Sequence, residues 1–286
     1  MIIDVLLPSS LFLILTLSLL LSEKIGRKVG AILGGKKMGL REIFLMVISM
    51  GIVISLIALM PDYAIQILFI AAYSYMLLMF TYVLLDKMLL AFIPSATFIV
   101  AYLMVYMLVG DAFTANVIMS VFAAIFAIMI ITYLNSLFSW KIAVIFALLL
   151  TAMDIVQVFI TAHMVEAATK MINLRLPVAI VLPTFPSIGY AALGLGDIFL
   201  SGLLSIQAAH KYGRKTGFLI IASISIALFI FEILVFNLEP DLKGFPATII
   251  VLLGCLLGLG IYAFQNMIQQ KYFVRKNKGD GGIRNS

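Results

Sequence analysis

The sequence predicts an all-α membrane protein with nine transmembrane helices, an outside N-terminus and a cytoplasmic C-terminus. Three observations predict this fold class. Of the 286 residues, 64% are hydrophobic and only 11% are charged, with a mean hydropathy of +1.20, whereas a soluble domain is about 50% apolar. Nine stretches of the chain reach the roughly 20 apolar residues that a spanning helix needs. The basic residues gather on one side of these stretches.

The nine stretches follow one another with short loops. The first has a leader that carries Asp4 and no basic cluster, and no small-x-small cleavage site follows Leu21, so we interpret it as a retained helix. The seventh is longer than a bilayer requires and contains Pro177, Pro183 and Pro186, so a continuous helix is not expected before about Pro186. The predicted spans are residues 3–22, 43–60, 63–85, 88–109, 115–138, 141–163, 177–209, 216–236 and 246–268.

The Lys and Arg residues set the orientation. Of the 19, only Lys170, Arg175 and Lys243 fall on the side of the N-terminus. The other loops and the tail carry the rest, so the positive-inside rule places the C-terminus in the cytoplasm. The net charge of +6 is therefore an orientation signal and a contact for anionic lipid, with no nucleic-acid partner implied. We expect a multi-pass protein of the cell membrane.

Three acidic residues lie inside predicted spans: Asp154, Asp197 and Glu232. Each would cost about 2.5 to 3.5 kcal/mol near the centre of a spanning helix, which makes such residues functional candidates. Glu232 lies five residues from Asn237 and can reach the outer interface. We therefore interpret Glu232 as an interfacial residue and keep the two aspartates.

The two aspartates are predicted to lie at one depth. Asp154 follows Lys141 by 13 residues, and Asp197 precedes His210 by 13 residues. Lys141 and His210 both mark the cytoplasmic edge, so each aspartate is roughly 20 Å from it at 1.5 Å per residue. Polar residues at helical spacing extend each position into a stripe that could line a cavity. These residues are Thr151, Gln157 and Thr161 beside Asp154, and Tyr190, Ser201 and Ser205 beside Asp197.

Two carboxyl groups within hydrogen-bond reach share one proton and titrate as a coupled pair. That arrangement suits amide hydrolysis, since the ionised member takes a proton from water while the protonated member donates to the scissile carbonyl. Gly194 and Gly196 leave room beside Asp197 for another backbone. We expect no cofactor and no metal, because His163, His210 and Glu166 do not have a metal-ligand spacing.

These motifs resemble the presenilin and signal peptide peptidase family of intramembrane aspartyl proteases. The matching stretches are "MDIVQVF" around Asp154, "GLGD" at Gly194 to Asp197, "PAT" at Pro246 to Thr248 and "LPVAIVLP" upstream. The resemblance covers spans six to nine, while the first five match in number and hydropathy. It implies a presenilin-like fold with a five-helix scaffold at residues 1–138 and a catalytic portion at 139–270. The composition of residues 271–286 separately predicts a disordered basic tail.

The resemblance also assigns roles to residues. It implies that Asp154 and Asp197 are catalytic, and that other positions shape the active site. Those positions are Gly194, Leu195, Gly196, Pro246, Ala247 and Thr248. Met153 stands where the family usually has tyrosine, and Thr248 where it usually has leucine. The orientation is that of signal peptide peptidases, which implies transmembrane peptide substrates with cytoplasmic N-termini. The short loop between spans six and seven implies activity as an uncut single chain. The sequence leaves open whether the protein forms an oligomer.

A substrate helix must unwind before its carbonyls can be attacked, and its freed backbone then needs new partners. The β-branched, proline-bracketed segment at Val178, Ala179, Ile180, Val181 and Leu182 is predicted to be extended and to supply them by strand addition. A proline-broken connection without a partner is the plainer interpretation of the same residues.

Three other readings of the aspartates stay open. A proton-coupled transporter or channel would also pair carboxylates within the membrane. A prepilin-peptidase-like protease uses a similar motif, although its aspartates sit near the cytoplasmic face and its spans are fewer. A purely structural helix-helix hydrogen bond would require the matched depth to be a coincidence.

Overall fold

The computed structural model describes residues 4–32, 37–161, 163–184, 189–238 and 245–280. Within those residues the chain forms ten α-helices and two strands. The helices are α1 (Leu6–Ile32), α2 (Leu40–Leu59), α3 (Asp62–Leu85), α4 (Met88–Leu108), α5 (Ala112–Leu134), α6 (Trp140–Ile155), α7 (His163–Asn173), α8 (Leu195–Tyr212), α9 (Arg214–Leu238) and α10 (Ala247–Asp280). The strands are β1 (Ala179–Pro183) and β2 (Tyr190–Gly194). A 3₁₀ turn, Asn135–Leu137, follows α5, and a π-helix, Val156–Ile160, follows α6.

The chain is a helical membrane protein. Eight helices in the described part are long and apolar enough to cross a bilayer: α1 to α6, α9 and α10, with α6 counted together with its π-helical end. Many of their large apolar side chains are exposed, for example Leu59 at 83% and Leu89 at 87%. An exposed apolar surface of this extent suits contact with lipid rather than water.

α8 is the central helix of the bundle and is absent from that set of eight. Every residue from Asp197 to Ala208 is buried, and the helix packs against α1, α5, α6, α9 and α10. Its polar residues explain its lower hydropathy, because a helix enclosed by other helices does not need a lipid-facing apolar surface. Gly202 permits the close contact with α5, since a Cβ there would lie 2.6 Å from Ile131 Cδ1.

β1 and β2 form an antiparallel hairpin, with Ala179 opposite Gly194 and Pro183 opposite Tyr190. The hairpin is held from several sides. Ser120 of α5 contacts Val181 of β1 through two hydrogen bonds, and Tyr73 of α3 donates its hydroxyl to the Pro177 carbonyl before β1. The hairpin therefore has a fixed position beside the N-terminus of α8.

Most predicted spans match helices to within a few residues, but three expectations need correction. The seventh span, 177–209, is a hairpin followed by a helix that begins at Leu195, because paired strands satisfy the backbone up to Gly194. The first helix continues to Ile32, into what the sequence suggested was a loop. The tail predicted to be disordered, 271–286, is helical through Asp280, since its Lys, Arg, Tyr and Phe residues tolerate a helix; residues 281–286 lie outside the described part.

The loop between α6 and β1 contains a helix that the sequence analysis did not predict. α7 (His163–Asn173) is amphipathic and packs on α2. Lys170 of α7 donates to the Met60 carbonyl and lies 3.5 Å from Asp62, which ties this loop to the junction of α2 and α3. Arg175, at a positive φ of 56°, donates to carbonyls at the end of α4, including that of Val105 at 3.2 Å.

Candidate active site

Asp154 lies in the last turn of α6, directly before a change of helix type. The backbone N–H of Thr161 donates to the carbonyl of Val156, five residues earlier, at 3.1 Å. A π-helix of this kind widens the turn and occurs often at functional sites. Asp154 is 5% exposed, so its carboxylate faces the interior of the bundle.

Asp197 lies in the first turn of α8, where the chain passes from strand to helix without a loop. Gly194 is both the last residue of β2 and the N-cap of α8. A Cβ at Gly194 would lie 3.2 Å from Asp197 Oδ2, so the carboxylate folds back beside the end of the strand. A Cβ at Gly196 would meet nothing within 4 Å, which leaves open space next to the same turn. The helix N-terminus also favours a negative charge.

The structure brings Asp154 and Asp197 together. α6 packs on α8, and the charge of the Asp154 carboxylate acts on the Asp197 carboxyl. Both side chains are more than nine-tenths buried, at 5% and 6% exposed. Two carboxyl groups in such surroundings repel each other when both are ionised, which favours one shared proton. The arrangement can therefore supply a general acid and a general base at one point.

The "PAT" motif adjoins the same carboxylates. α10 begins at Ala247, after the buried residue Pro246, and packs against both α6 and α8. The Thr248 hydroxyl, in the first turn of α10, interacts with the Asp154 carboxyl but does not reach full hydrogen-bond geometry, so it is a nearby polar group rather than a fixed donor. The motif thus places a hydroxyl beside the two carboxyl groups.

Members of both predicted polar stripes form hydrogen bonds within their own helices. Thr151, Ser201 and Ser205 are buried, and each hydroxyl donates to a carbonyl four residues earlier in its own helix at 2.7 to 2.8 Å. They are satisfied within their helices and do not extend the carboxylate pair. Tyr190 was expected on the same helix as Asp197, but it lies on β2, because α8 starts only at Leu195.

The segment Val178 to Leu182 is extended as predicted, and most of it is strand β1. One edge of β1 pairs with β2. On the other edge Val181 donates to Ser120 Oγ at 2.8 Å, and its carbonyl lies 3.1 Å from the same oxygen. β1 is therefore held on both edges, and its role in binding a substrate stays a prediction.

The accessible edge of the hairpin belongs to β2. Leu195 donates to the Val178 carbonyl at 3.0 Å and Thr184 to the Gly189 carbonyl at 3.1 Å, which fixes the hydrogen-bonded pairs of the ladder. By alternation, the backbone groups of Tyr190, Ala192 and Gly194 point away from β1. Tyr190 and Ala192 are exposed, and this edge ends at the turn that carries Asp197.

Met153 and Gln157 flank Asp154 on the side of α2. A Cβ at Gly51 of α2 would overlap the Met153 side chain, so the absence of a side chain there admits the methionine. Gln157 Nε2 donates to the Gly51 carbonyl at 3.1 Å. Met153 thus packs into the space that Gly51 leaves on α2.

Other residues considered at the sequence level lie elsewhere. Within the described residues, no group of three or more His, Cys, Asp and Glu side chains could hold a metal ion. His210 and Glu166 are exposed, and the side chain of His163 lies outside the described part. Glu232 is 5% exposed, in contrast to the interfacial position expected for it, and interacts with Asp4 across the contact of α9 with α1.

Two features of the site could not be found by reading the sequence. Ser120 gives no signal in its own helix, since it contacts β1 through a separation of 61 residues. β2, "YAALG", lacks the β-branched residues that mark a strand, so only the pairing with β1 reveals it.

Comparison with known proteins supplies no assignment: no protein-family model matches the chain, and no curated protein matches it.

Proposed function

We propose that the chain is an intramembrane aspartyl endopeptidase, which hydrolyses peptide bonds within the transmembrane segments of other proteins. One observation carries the proposal: two buried aspartates, from the end of α6 and the start of α8, lie in electrostatic contact at the end of an edge strand. A pair of carboxyl groups that shares one proton is what hydrolysis by activated water requires.

The roles follow from proton balance. The ionised aspartate takes a proton from water, and the resulting hydroxide forms a bond to the scissile carbonyl carbon. The protonated aspartate gives its proton to the carbonyl oxygen, which yields a neutral tetrahedral diol. The aspartate that took the proton from water then gives it to the amide nitrogen, while the other aspartate takes a proton from one diol hydroxyl. The C–N bond breaks, an amine and a carboxylic acid are released, and both aspartates return to their starting protonation states. No cofactor enters this scheme.

The proposed topology is presenilin-like, with α8 as a ninth crossing in addition to the eight apolar helices. The distribution of Lys and Arg supports an outside N-terminus and a cytoplasmic C-terminus. With that orientation, and by resemblance to signal peptide peptidases, we propose substrates whose own N-termini are cytoplasmic. The protein would act in the cell membrane as an uncut single chain.

We also propose that the unwound part of a substrate pairs with the accessible edge of β2. Strand addition supplies backbone partners that lipid cannot offer. The groups of Tyr190, Ala192 and Gly194 point outward along this edge, which leads to Asp197. In this arrangement β1 supports the binding strand, held from behind by Ser120.

The test is cleavage of a synthetic single-span peptide by the purified full chain in lipid vesicles. Asp154→Asn and Asp197→Asn are each expected to abolish cleavage and to leave the thermal unfolding temperature within a few degrees of the parent. Glu232→Gln is the matched control, because it also neutralises a buried carboxylate in a helix but lies outside the site. Its cleavage rate is expected to stay near that of the parent.

The outcomes are distinct. Normal cleavage by either aspartate variant would overturn the assignment of the dyad. Proton flux into the same vesicles without any cleavage of the peptide would support a proton-coupled transporter instead.

A further inference from the structure

Three aromatic rings join α6, α8 and α10 where α6 begins and α8 ends. Trp140 is the first residue of α6, Tyr212 is the last residue of α8, and Tyr262 lies on α10. The ring centroids of Trp140 and Tyr212 are 5.5 Å apart, and those of Tyr212 and Tyr262 are also 5.5 Å apart. All three side chains are half-buried. The rings therefore connect the three helices that line the candidate active site, at a distance from the site itself.

Lys211 lies over two of these rings. Its Nζ is 5.5 Å from the ring centroid of Trp140 and 4.8 Å from that of Tyr212, close enough for the ring faces to attract the cation. The Lys211 side chain is exposed, and no carboxylate of the described residues lies within ion-pair distance of it. The neighbouring Arg214, in contrast, lies 3.3 Å from a carboxylate oxygen of Glu23. Lys211 is thus a cation that the rings hold in place and that no described side chain neutralises.

A second cation lies at the same end of α6. Lys141 follows Trp140 directly, and its side chain is exposed. Leu148, seven residues later, lies on the same face of the helix as Lys141, because seven residues are close to two full turns. Leu148 is 56% exposed. This face of α6 therefore offers apolar surface to lipid within the membrane and a positive charge where the helix begins.

We propose that Lys211, Lys141 and the Trp140 ring form a binding site for the headgroup of an anionic phospholipid. The two ammonium groups supply charge and N–H donors to the phosphate, and tryptophan favours the level of lipid headgroups. A headgroup with a net negative charge is the complementary one, since the ammonium of a zwitterionic headgroup already neutralises its phosphate. The basic residues as a whole predicted contact with anionic lipid, and the geometry narrows that contact to this site. The site does not depend on the proposed hydrolysis.

Tryptophan fluorescence tests the proposal directly. Trp140 is the one tryptophan in the chain, so its emission reports on this site alone. The full-length protein in phosphatidylcholine vesicles is titrated with brominated phosphatidylglycerol, whose bromine atoms quench a tryptophan that they contact. Brominated phosphatidylcholine is the reference lipid for every variant. The ratio of the two relative binding constants then measures the preference for the anionic lipid and cancels any change in the emission of Trp140 itself.

The parent protein is expected to prefer phosphatidylglycerol. One lysine close to anionic lipid contributes roughly a fivefold preference. Lys211→Gln and Lys141→Gln should therefore each lower the ratio by about that factor, whereas Lys211→Arg should retain it. Lys87→Gln is the matched control and should leave the ratio unchanged. Lys87 is also an exposed lysine at the start of a spanning helix, but that helix, α4, packs mainly on α3 and α5.

The outcomes that would overturn the site are distinct. A ratio of one in the parent protein, or a ratio that both glutamine variants leave unchanged, would show that no anionic lipid is selected there. If Lys211→Gln does not fold, the parent ratio and Lys141→Gln still decide the question. Glycerol 3-phosphate in millimolar excess should not relieve the quenching, because it lacks acyl chains; relief would identify a soluble phosphate ester, instead of a lipid, as the ligand. Peptide cleavage enters none of these measurements, so failure of the protease proposal leaves this one standing.

Discussion

Replacement of Ser120 by alanine is expected to loosen the hairpin beside the candidate active site. The Ser120 hydroxyl contacts the N–H of Val181 at 2.8 Å and its carbonyl at 3.1 Å, and it also lies 2.8 Å from the Asn116 carbonyl in its own helix. Asn116 keeps its place in the helix when the hydroxyl is removed. Val181 is 6% exposed, so water cannot readily replace the lost contacts.

The expected magnitude follows from the group that loses its partner. A buried N–H without an acceptor costs about 1 to 3 kcal/mol, and the Val181 carbonyl also loses a weaker contact. A central value of about 2 kcal/mol corresponds to roughly 30-fold faster opening of the strand, because 1.4 kcal/mol is a factor of ten. Ser120→Ala should therefore accelerate amide hydrogen exchange across β1 by about that factor.

The assay is hydrogen exchange with mass spectrometry on the full chain, read in peptides that contain residues 179–183. Ser49→Ala is the matched control, because the Ser49 hydroxyl donates only within its own exposed helix, to the Met46 carbonyl at 2.8 Å. It should leave exchange in β1 unchanged. Unaltered exchange in β1 for Ser120→Ala would refute the reasoning that this hydroxyl holds the strand.

Two further predictions concern stability. A Cβ at Gly254 would lie 2.6 Å from Ile224 Cα, so Gly254→Ala should destabilise the contact of α10 with α9 by about 1 to 3 kcal/mol. Gly260→Ala is the control: a Cβ there would meet nothing within 4 Å, so this change should be neutral or mildly stabilising in thermal unfolding. Equal changes in the unfolding temperature of the two variants would contradict this prediction. Hydrogen bonds from the Thr114 backbone and hydroxyl lower the pKa of Asp111, the N-cap of α5, below its ordinary 3.8. Because the pKa of Asp111 is lower in the folded state, the ionised carboxylate stabilises the fold above about pH 3.8, and this stabilisation disappears as the pH falls through the lowered pKa. The unfolding temperatures of the parent and Asp111→Asn should therefore converge in acid. A difference between them that does not change with pH would disprove the link between this carboxylate and stability.

Hydropathy predicted the lipid-facing helices well, because their composition is set by the bilayer alone. α4 was predicted at 88–109 and is observed at Met88–Leu108. The method failed where contacts between distant residues decide the structure. Pro177 and Pro183 correctly signalled an extended segment, but the pairing of β1 with β2 depends on a register that no local pattern encodes.

The sequence predicted that the two aspartates of the candidate site lie near each other, but it did not predict the residues that surround them. Equal spacing from the cytoplasmic edge suggested that Asp154 and Asp197 lie at one depth, and the structure brings them together. The Thr248 hydroxyl near Asp154 was anticipated only as a departure from a motif. The unpaired oxygen of Gln157 is a property of three-dimensional packing, so the sequence offered only its position on a polar stripe.

The enclosed position of α8 has a consequence for biogenesis. Its polar residues make it a poor candidate for independent partitioning from the translocon, where an aspartate alone opposes insertion by about 2.5 to 3.5 kcal/mol. The very apolar α9 follows after a single residue, Gly213. As a proposed crossing, α8 would therefore enter the bilayer as a hairpin with α9. The favourable insertion free energy of the apolar α9 would offset the cost of inserting α8, the helix that carries Asp197.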